Sequence, residues 1–220
     1  MHINRWQLAV GLGTVLIASL LAPTAAGDDK VMLGGGAGIV LNGDPCTLAT
    51  IGYDRAGELV GFTSAHCGGV GAAVAAEGAA GTVGGVVAVD DQLDYAVIKF
   101  DPAKVTPIHD FDGFAINGID PNPGLGQWTC KLSRATGQSC FSLRFWALDP
   151  SIYTAKAPWQ PGDDGAPATV NDLLIGMFRD GSVTLALVPP TRPEILKITV
   201  LLDDVNAKGG PGAGFTPIPA

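Results

Sequence analysis

The chain has no cluster of Lys or Arg, and it is poor in charge altogether: 15% of its 220 residues are charged and 7% are aromatic. Binding to phosphate backbones or anionic head groups draws on cation-for-counterion exchange. A formal net charge of -8 without a basic run therefore excludes nucleic acid as an expected partner. No apolar run reaches the roughly 20 residues that cross a bilayer as a helix; the run from Leu8 to Leu21 has fourteen. There is no CxxC pair to suggest zinc, and Asp163, Asp164 and Asp172 lack EF-hand-like spacing for calcium. No metal and no cofactor are expected, and no internal repeat stands out.

What is present at the start is Arg5, the apolar run, and then Pro23-Thr24-Ala25-Ala26, the layout of a secretory signal peptide over residues 1–26. Cleavage would remove one Arg and no acid, taking the net charge from -8 to -9. The expected location is secreted or in the cell envelope, with no membrane association after cleavage. The remainder suits one globular domain, or two small packed lobes, with enough interior for a core. An exported protein meets an oxidising environment, so Cys46, Cys67, Cys130 and Cys140 are free to pair, in any of three ways.

Short β-type runs punctuated by glycine fill residues 34–100: Gly38 to Leu41, Leu48 to Tyr53, Leu59 to Thr63, Gly81 to Val89 and Tyr95 to Phe100. The stretch Gly71 to Ala80 reads as a loop or a small-residue strand, because its glycines disfavour helix. This spacing without helical period indicates an antiparallel sandwich or barrel. Residues 101–123, rich in Asp, Pro and Gly, read as a connector. A second β-rich set follows: Gln127 to Leu132, Ser139 to Leu148, Ala168 to Val170, Leu173 to Phe178 and Ser182 to Val188, the last two joined by a hairpin turn at Arg179 to Ser182. Ile195, Ile198, Leu201 and Val205 have helical spacing, so a helix is expected over about 194–207, with a loose Gly/Pro tail over 209–220.

Three short segments carry chemistry. A histidine ends an apolar strand in Thr63-Ser64-Ala65-His66-Cys67, an acid heads another in Asp94-Tyr95-Ala96-Val97-Ile98, and Pro161-Gly162-Asp163-Asp164-Gly165-Ala166-Pro167 follows. In this order they resemble the chymotrypsin-like serine proteases, closest in style to the bacterial streptogrisin and alpha-lytic branch. The resemblance runs from about Gly34 to Asn206. It implies an all-β fold of two antiparallel six-stranded barrels, one over about 33–105 and one over about 113–190, with a C-terminal helix.

It further implies that His66 is the general base and Asp94 its orienting acid, and that the disulfides are Cys46–Cys67 and Cys130–Cys140. The Cys130–Cys140 loop, with Ser133-Arg134-Ala135-Thr136-Gly137, is similar to that branch's SGRTTG loop. There the acid before the serine pairs with a buried arginine, which implies an Arg134–Asp163 ion pair. Gly162 and Asp164 fall where the backbone N–H groups of an oxyanion hole would be.

Against the family's GDSGGP, the segment Gly162 to Pro167 puts Asp164 on the nucleophilic serine and Ala166 on a glycine. The triad works because histidine takes a proton from a hydroxyl as it attacks a carbonyl. An ionised carboxylate has no such proton, and its attack on an amide would give a mixed anhydride. No nearby serine substitutes: Ser139 and Ser142 adjoin the second disulfide, and Ser64 shares the strand end of His66. Two carboxylates around His66 would instead favour its imidazolium.

The expectation is a monomeric, exported protease homologue without proteolytic activity that keeps a cleft for a peptide or protein ligand. The alternatives are an active endopeptidase or hydrolase with an atypical site, and an inert structural protein of the envelope.

Overall fold

A computed structural model of the chain describes residues 30–124, 126–143, 152–154, 157–179 and 194–220. The expected signal peptide, the turn after Arg179 and the strand from Ser182 to Val188 lie outside these residues, as does the end of the run from Ser139 to Leu148.

The first lobe contains β1 (Val31–Leu33), β2 (Gly38–Leu41), β3 (Asp44–Thr47), β4 (Thr50–Tyr53), β5 (Leu59–Thr63), β6 (Ala73–Ala76), β7 (Thr82–Asp90), β8 (Tyr95–Phe100) and β9 (Val105–Pro107). Strands β10 (Asp110–Phe111), β11 (Phe114–Ala115) and β12 (Gly118–Ile119) then occupy the segment read as a connector. The second lobe contains β13 (Trp128–Lys131), β14 (Ser139–Ser142), β15 (Ile152–Thr154), β16 (Pro167–Val170), β17 (Leu173–Arg179) and β18 (Glu194–Lys197), followed by α1 (Ile198–Lys208) and β19 (Thr216–Pro217).

Two large sheets result, one ordered β19-β4-β5-β8-β7-β6-β2-β3 and the other β14-β13-β16-β17-β18-β15, with β12 added alongside β17, beside two two-stranded sheets, β1-β9 and β10-β11. The fold is the all-β double barrel with a C-terminal helix. Strand β5 is buried at all five positions, so both faces of the sheet are covered there, whereas β2 alternates in burial with the period of a strand covered on one face.

Leu33, Ile39, Leu41, Leu48, Ile51, Val74, Ile98 and Phe100 fill the first lobe, and Phe141, Leu143, Ala168, Val170, Ile175, Phe178 and Ile195 fill the second. A third cluster joins them: Val60, Phe62, Tyr95 and Val97 of the first lobe meet Met177 and Leu196 of the second, Leu201 and Val205 of the helix, and Phe215.

Two expectations are corrected. Glu194–Lys197 is a strand, held between β17 and β15, and the helix begins at Ile198. Ile195 fitted a helical period, but its backbone completes a ladder. The tail is also not loose. Strand β19 pairs with β4, and the ring of Phe215 packs edge-on against Phe62 with centroids 4.9 Å apart. Gly212 N–H donates to Asp54 Oδ2 at 3.1 Å. Gly52 permits this pairing, since a Cβ there would lie 2.1 Å from the carbonyl oxygen of Thr216.

Candidate functional site

His66 sits in a single 3-10 turn, Ala65–Cys67, at the end of β5. The Cys46–Cys67 disulfide ties that turn to β3, and Thr63 Oγ1 donates to the carbonyl of Thr47 at 2.8 Å. Asp94 precedes β8 with φ +54, in the left-handed region, a conformation that needs local support. Its Oδ1 accepts from the backbone N–H of His66 at 3.1 Å, and its Oδ2 lies 3.0 Å from His66 Nδ1. One face of the imidazole is thereby fixed.

The other ring nitrogen, Nε2, faces Asp164 Oδ2 at 3.3 Å. Asp164 is 6% exposed, and its second oxygen, Oδ1, is buried with no hydrogen-bond partner. The loop that delivers it is tightly determined. Thr47 N–H donates to the carbonyl of Asp164 at 2.9 Å, Thr47 Oγ1 to that of Gly162 at 2.8 Å, and Gly165 N–H to that of Phe178 at 2.8 Å. Gly165 has φ +86, and a Cβ there would lie 2.2 Å from the carbonyl oxygen of Thr47, so no other residue fits. The N–H groups of Gly162 and Asp164 have no acceptor among the described residues.

Two carboxylates around one imidazole stabilise its charged form. Asp164 first and Asp94 second push the His66 pKa up to about 10, against the opposing effect of burial. His66 is an imidazolium at neutral pH, with its side chain 45% exposed.

Asp163 and Lys131 are both fully buried and pair at 2.8 Å. Ser133 Oγ donates to Asp163 Oδ1 at 2.6 Å and Thr136 Oγ1 to Oδ2 at 2.8 Å, while Lys131 Nζ also reaches the carbonyl of Pro158. Burial raises the Asp163 carboxyl, yet Lys131, Ser133 and Thr136 outweigh it and hold the group below its ordinary value. Burial pulls Lys131 below an ordinary lysine.

The expected Arg134–Asp163 pair is therefore corrected. Arg134 turns outward and grips Glu77 with two bonds, Nε to Oε2 at 3.0 Å and Nη2 to Oε1 at 2.6 Å. Lys131 projects inward from β13 and already neutralises the acid. A lone lysine in an otherwise uncharged strand does not mark it out, since the exposed Lys99 of β8 fits the same description. Arg179 and Glu194, which pair at 2.9 Å beneath the Asp94 turn, carried no signal in the sequence either. Cys130–Cys140 closes the loop that supplies Ser133 and Thr136. Among the described residues, no group of three or more His, Cys, Asp or Glu side chains could hold a metal ion.

No protein-family model matches the sequence, and no curated protein does either. Solved structures do match. Thermobifida fusca Protease A is 16% identical with a TM-score of 0.67, and the match covers 86% of this chain and 100% of that one. Nocardiopsis Protease is 19% identical with a TM-score of 0.63, covering 80% of this chain and 97% of that one. An alpha-lytic protease homolog, N4, is 22% identical with a TM-score of 0.63, covering 84% and 99%. The fold is that of the bacterial chymotrypsin-like serine proteases.

Proposed function

We propose that the chain is an exported protease homologue, disarmed because Asp164 stands where the nucleophilic serine would be, that retains a cleft for a peptide or protein ligand. The observation that carries this reading is the carboxylate of Asp164 opposite His66 Nε2 at 3.3 Å, with Asp94 on the other ring nitrogen. A hydroxyl at that point would pass its proton to a neutral histidine; an ionised carboxylate holds the histidine charged instead. By the resemblance, the N–H groups of Gly162 and Asp164 would have to receive a developing oxyanion, and a fixed negative charge on the Asp164 side chain would oppose it.

Export is supported by the two disulfides and by the signal-like start, and among the described residues no helix is long and apolar enough to cross a membrane.

The test is hydrolysis of a broad peptide pool by the mature protein beside Asp164→Ser, with His66→Ala as the control for contaminating protease. Only Asp164→Ser should cut. Loss of a nucleophile in such sites lowers turnover on the order of a million-fold, so the native protein should stay at background. Cleavage by the native protein that disappears in His66→Ala would make it an atypical hydrolase and end the inactive reading.

A further inference from the structure

Strand β1 pairs with one neighbour, β9, in a two-stranded parallel sheet. Val31 N–H donates to the carbonyl of Lys104 at 2.8 Å, and the carbonyl of Leu33 accepts from Ile108 N–H at 2.9 Å. Val31 and Leu33 thus turn their backbone groups toward β9. Along a strand these groups alternate between the two edges, so Met32, between them, presents its N–H and C=O to the opposite edge. No strand among the described residues takes them up there, and Met32 is 62% exposed.

That edge opens on a cavity of about 460 Å³, within the size range of ligand sites, which favour the junction between lobes. Successive side chains of a strand point to opposite faces, yet Val31, Met32 and Leu33 all line the cavity. The strand therefore meets it edge-on. The second lobe contributes Leu132 and Arg134, the first lobe Glu77, and the segment between them Phe111 and Asp112. Phe111 and Leu132 are half-buried and give the groove an apolar wall. Its charges are unequal. Arg134 is engaged by Glu77 through two bonds, whereas Asp112 is exposed with no cation against it among the described residues.

We propose that this groove binds an extended peptide segment of another protein as a strand added to β1, with an apolar side chain of the peptide against Phe111 and Leu132 and a neighbouring Lys or Arg meeting Asp112. Met32 offers one donor and one acceptor, which a single peptide residue engages with its own carbonyl and N–H as an antiparallel pair. In such strand addition the main-chain bonds supply attachment and the side-chain contacts select the sequence. The edge lies in a groove between the lobes, so a slender strand reaches it. A second folded copy does not, because its own β1 is recessed in the same way.

The inference goes beyond the proposed function: His66, Asp94 and Asp164 do not line this groove, so the cleavage test on Asp164→Ser and the binding test here can fail separately. The probe is the blocked peptide acetyl-Thr-Val-Lys-Val-Thr-amide, titrated into the isotope-labelled mature protein and followed by NMR. Shift changes are expected at Met32, Phe111, Asp112 and Arg134 and not at His66 or Asp164, with slower hydrogen exchange of the Met32 N–H. Asp112→Asn, which suits the left-handed φ of +53 at that position, should weaken binding several-fold and remove most of its dependence on salt. Peptides N-methylated at one residue at a time should fall into two classes, one about ten-fold weaker for the lost bond to Met32 and one little changed. Equal effects of methylation at every residue, shifts confined to the His66 cleft, no binding, or self-association through β1 in place of peptide binding would overturn the proposal.

Discussion

A carboxylate with no exposed surface needs a cation or several donors, and Asp163 has both. Lys131 supplies the charge, and Ser133, Thr136 and the backbone N–H of Gln160 supply hydrogen bonds. Removing one member of a buried pair leaves an uncompensated charge and costs about 3–5 kcal/mol. Lys131→Met should therefore destabilise the protein by about that much, read as a fall in urea midpoint at unchanged slope. Arg134→Met breaks a pair at the surface, where such contacts contribute about 1 kcal/mol or less. Its midpoint should barely move. Equal effects of the two substitutions would mean that the Lys131–Asp163 pair is not what secures the loop carrying Asp164.

At the level of elements, the turn from Asp90 to Tyr95 brings Asp94 to His66 and is gripped from outside its own lobe. Arg179 of β17 donates Nη1 to the carbonyl of Leu93 at 3.2 Å, while its Nε and Nη2 hold Glu194 of β18. Asp90 Oδ1 takes the Leu93 N–H at 2.6 Å. Pinning both ends of Leu93 orients the peptide plane from which Asp94 adopts its left-handed φ. Arg179→Met should release Asp94 and lower the His66 pKa from about 10 toward its ordinary 6.5.

The sign of the pH effect follows. A raised folded-state pKa adds stability that is complete below the unfolded value and fades as pH climbs to the folded value. Between about pH 6.5 and 10 the native protein should lose the stability that His66 supplies, an effect obtained by subtracting the His66→Gln profile. In Arg179→Met that loss should fall at lower pH. An NMR titration of His66 giving the same pKa in Arg179→Met and the native protein would reduce Arg179 to a purely structural role.

Most strands of both lobes could be read beforehand because short β-type runs between glycines have few other solutions. Glu194–Lys197 could not, since four residues carry too little period to separate strand from helix, and its ladder partners β15 and β17 are distant in sequence. His66, Asp94 and Asp164 could be singled out by the order of three motifs. The partner of Asp163 could not: Lys131 and Arg134 are three residues apart, and which one turns inward depends on the path of β13 and of the disulfide loop after it.

At the scale of the whole molecule, the tail shows most clearly what composition conceals. Glycine and proline suggested a loose end, but whether a segment packs depends on an available edge, and that edge is β4. Strand β19 covers it, so the first sheet ends in two residues of β19 rather than in an open strand. Phe215 meanwhile completes the cluster shared by both lobes and the helix. Two consequences should appear together if the tail belongs to the folded unit. Phe215→Ala should cost about 3 kcal/mol, the lower part of the range for emptying a buried aromatic site, and calorimetry should still show one transition, because Phe62, Met177, Leu196 and Leu201 continue to join the lobes. Deleting residues 209–220 removes the same ring and also uncovers β4, whose unpaired backbone then invites edge-to-edge association. The truncated protein should melt lower than Phe215→Ala and elute partly as a dimer in size-exclusion chromatography. A truncated chain that remains monomeric with an unchanged melting temperature would show that the tail contributes nothing to the fold it covers.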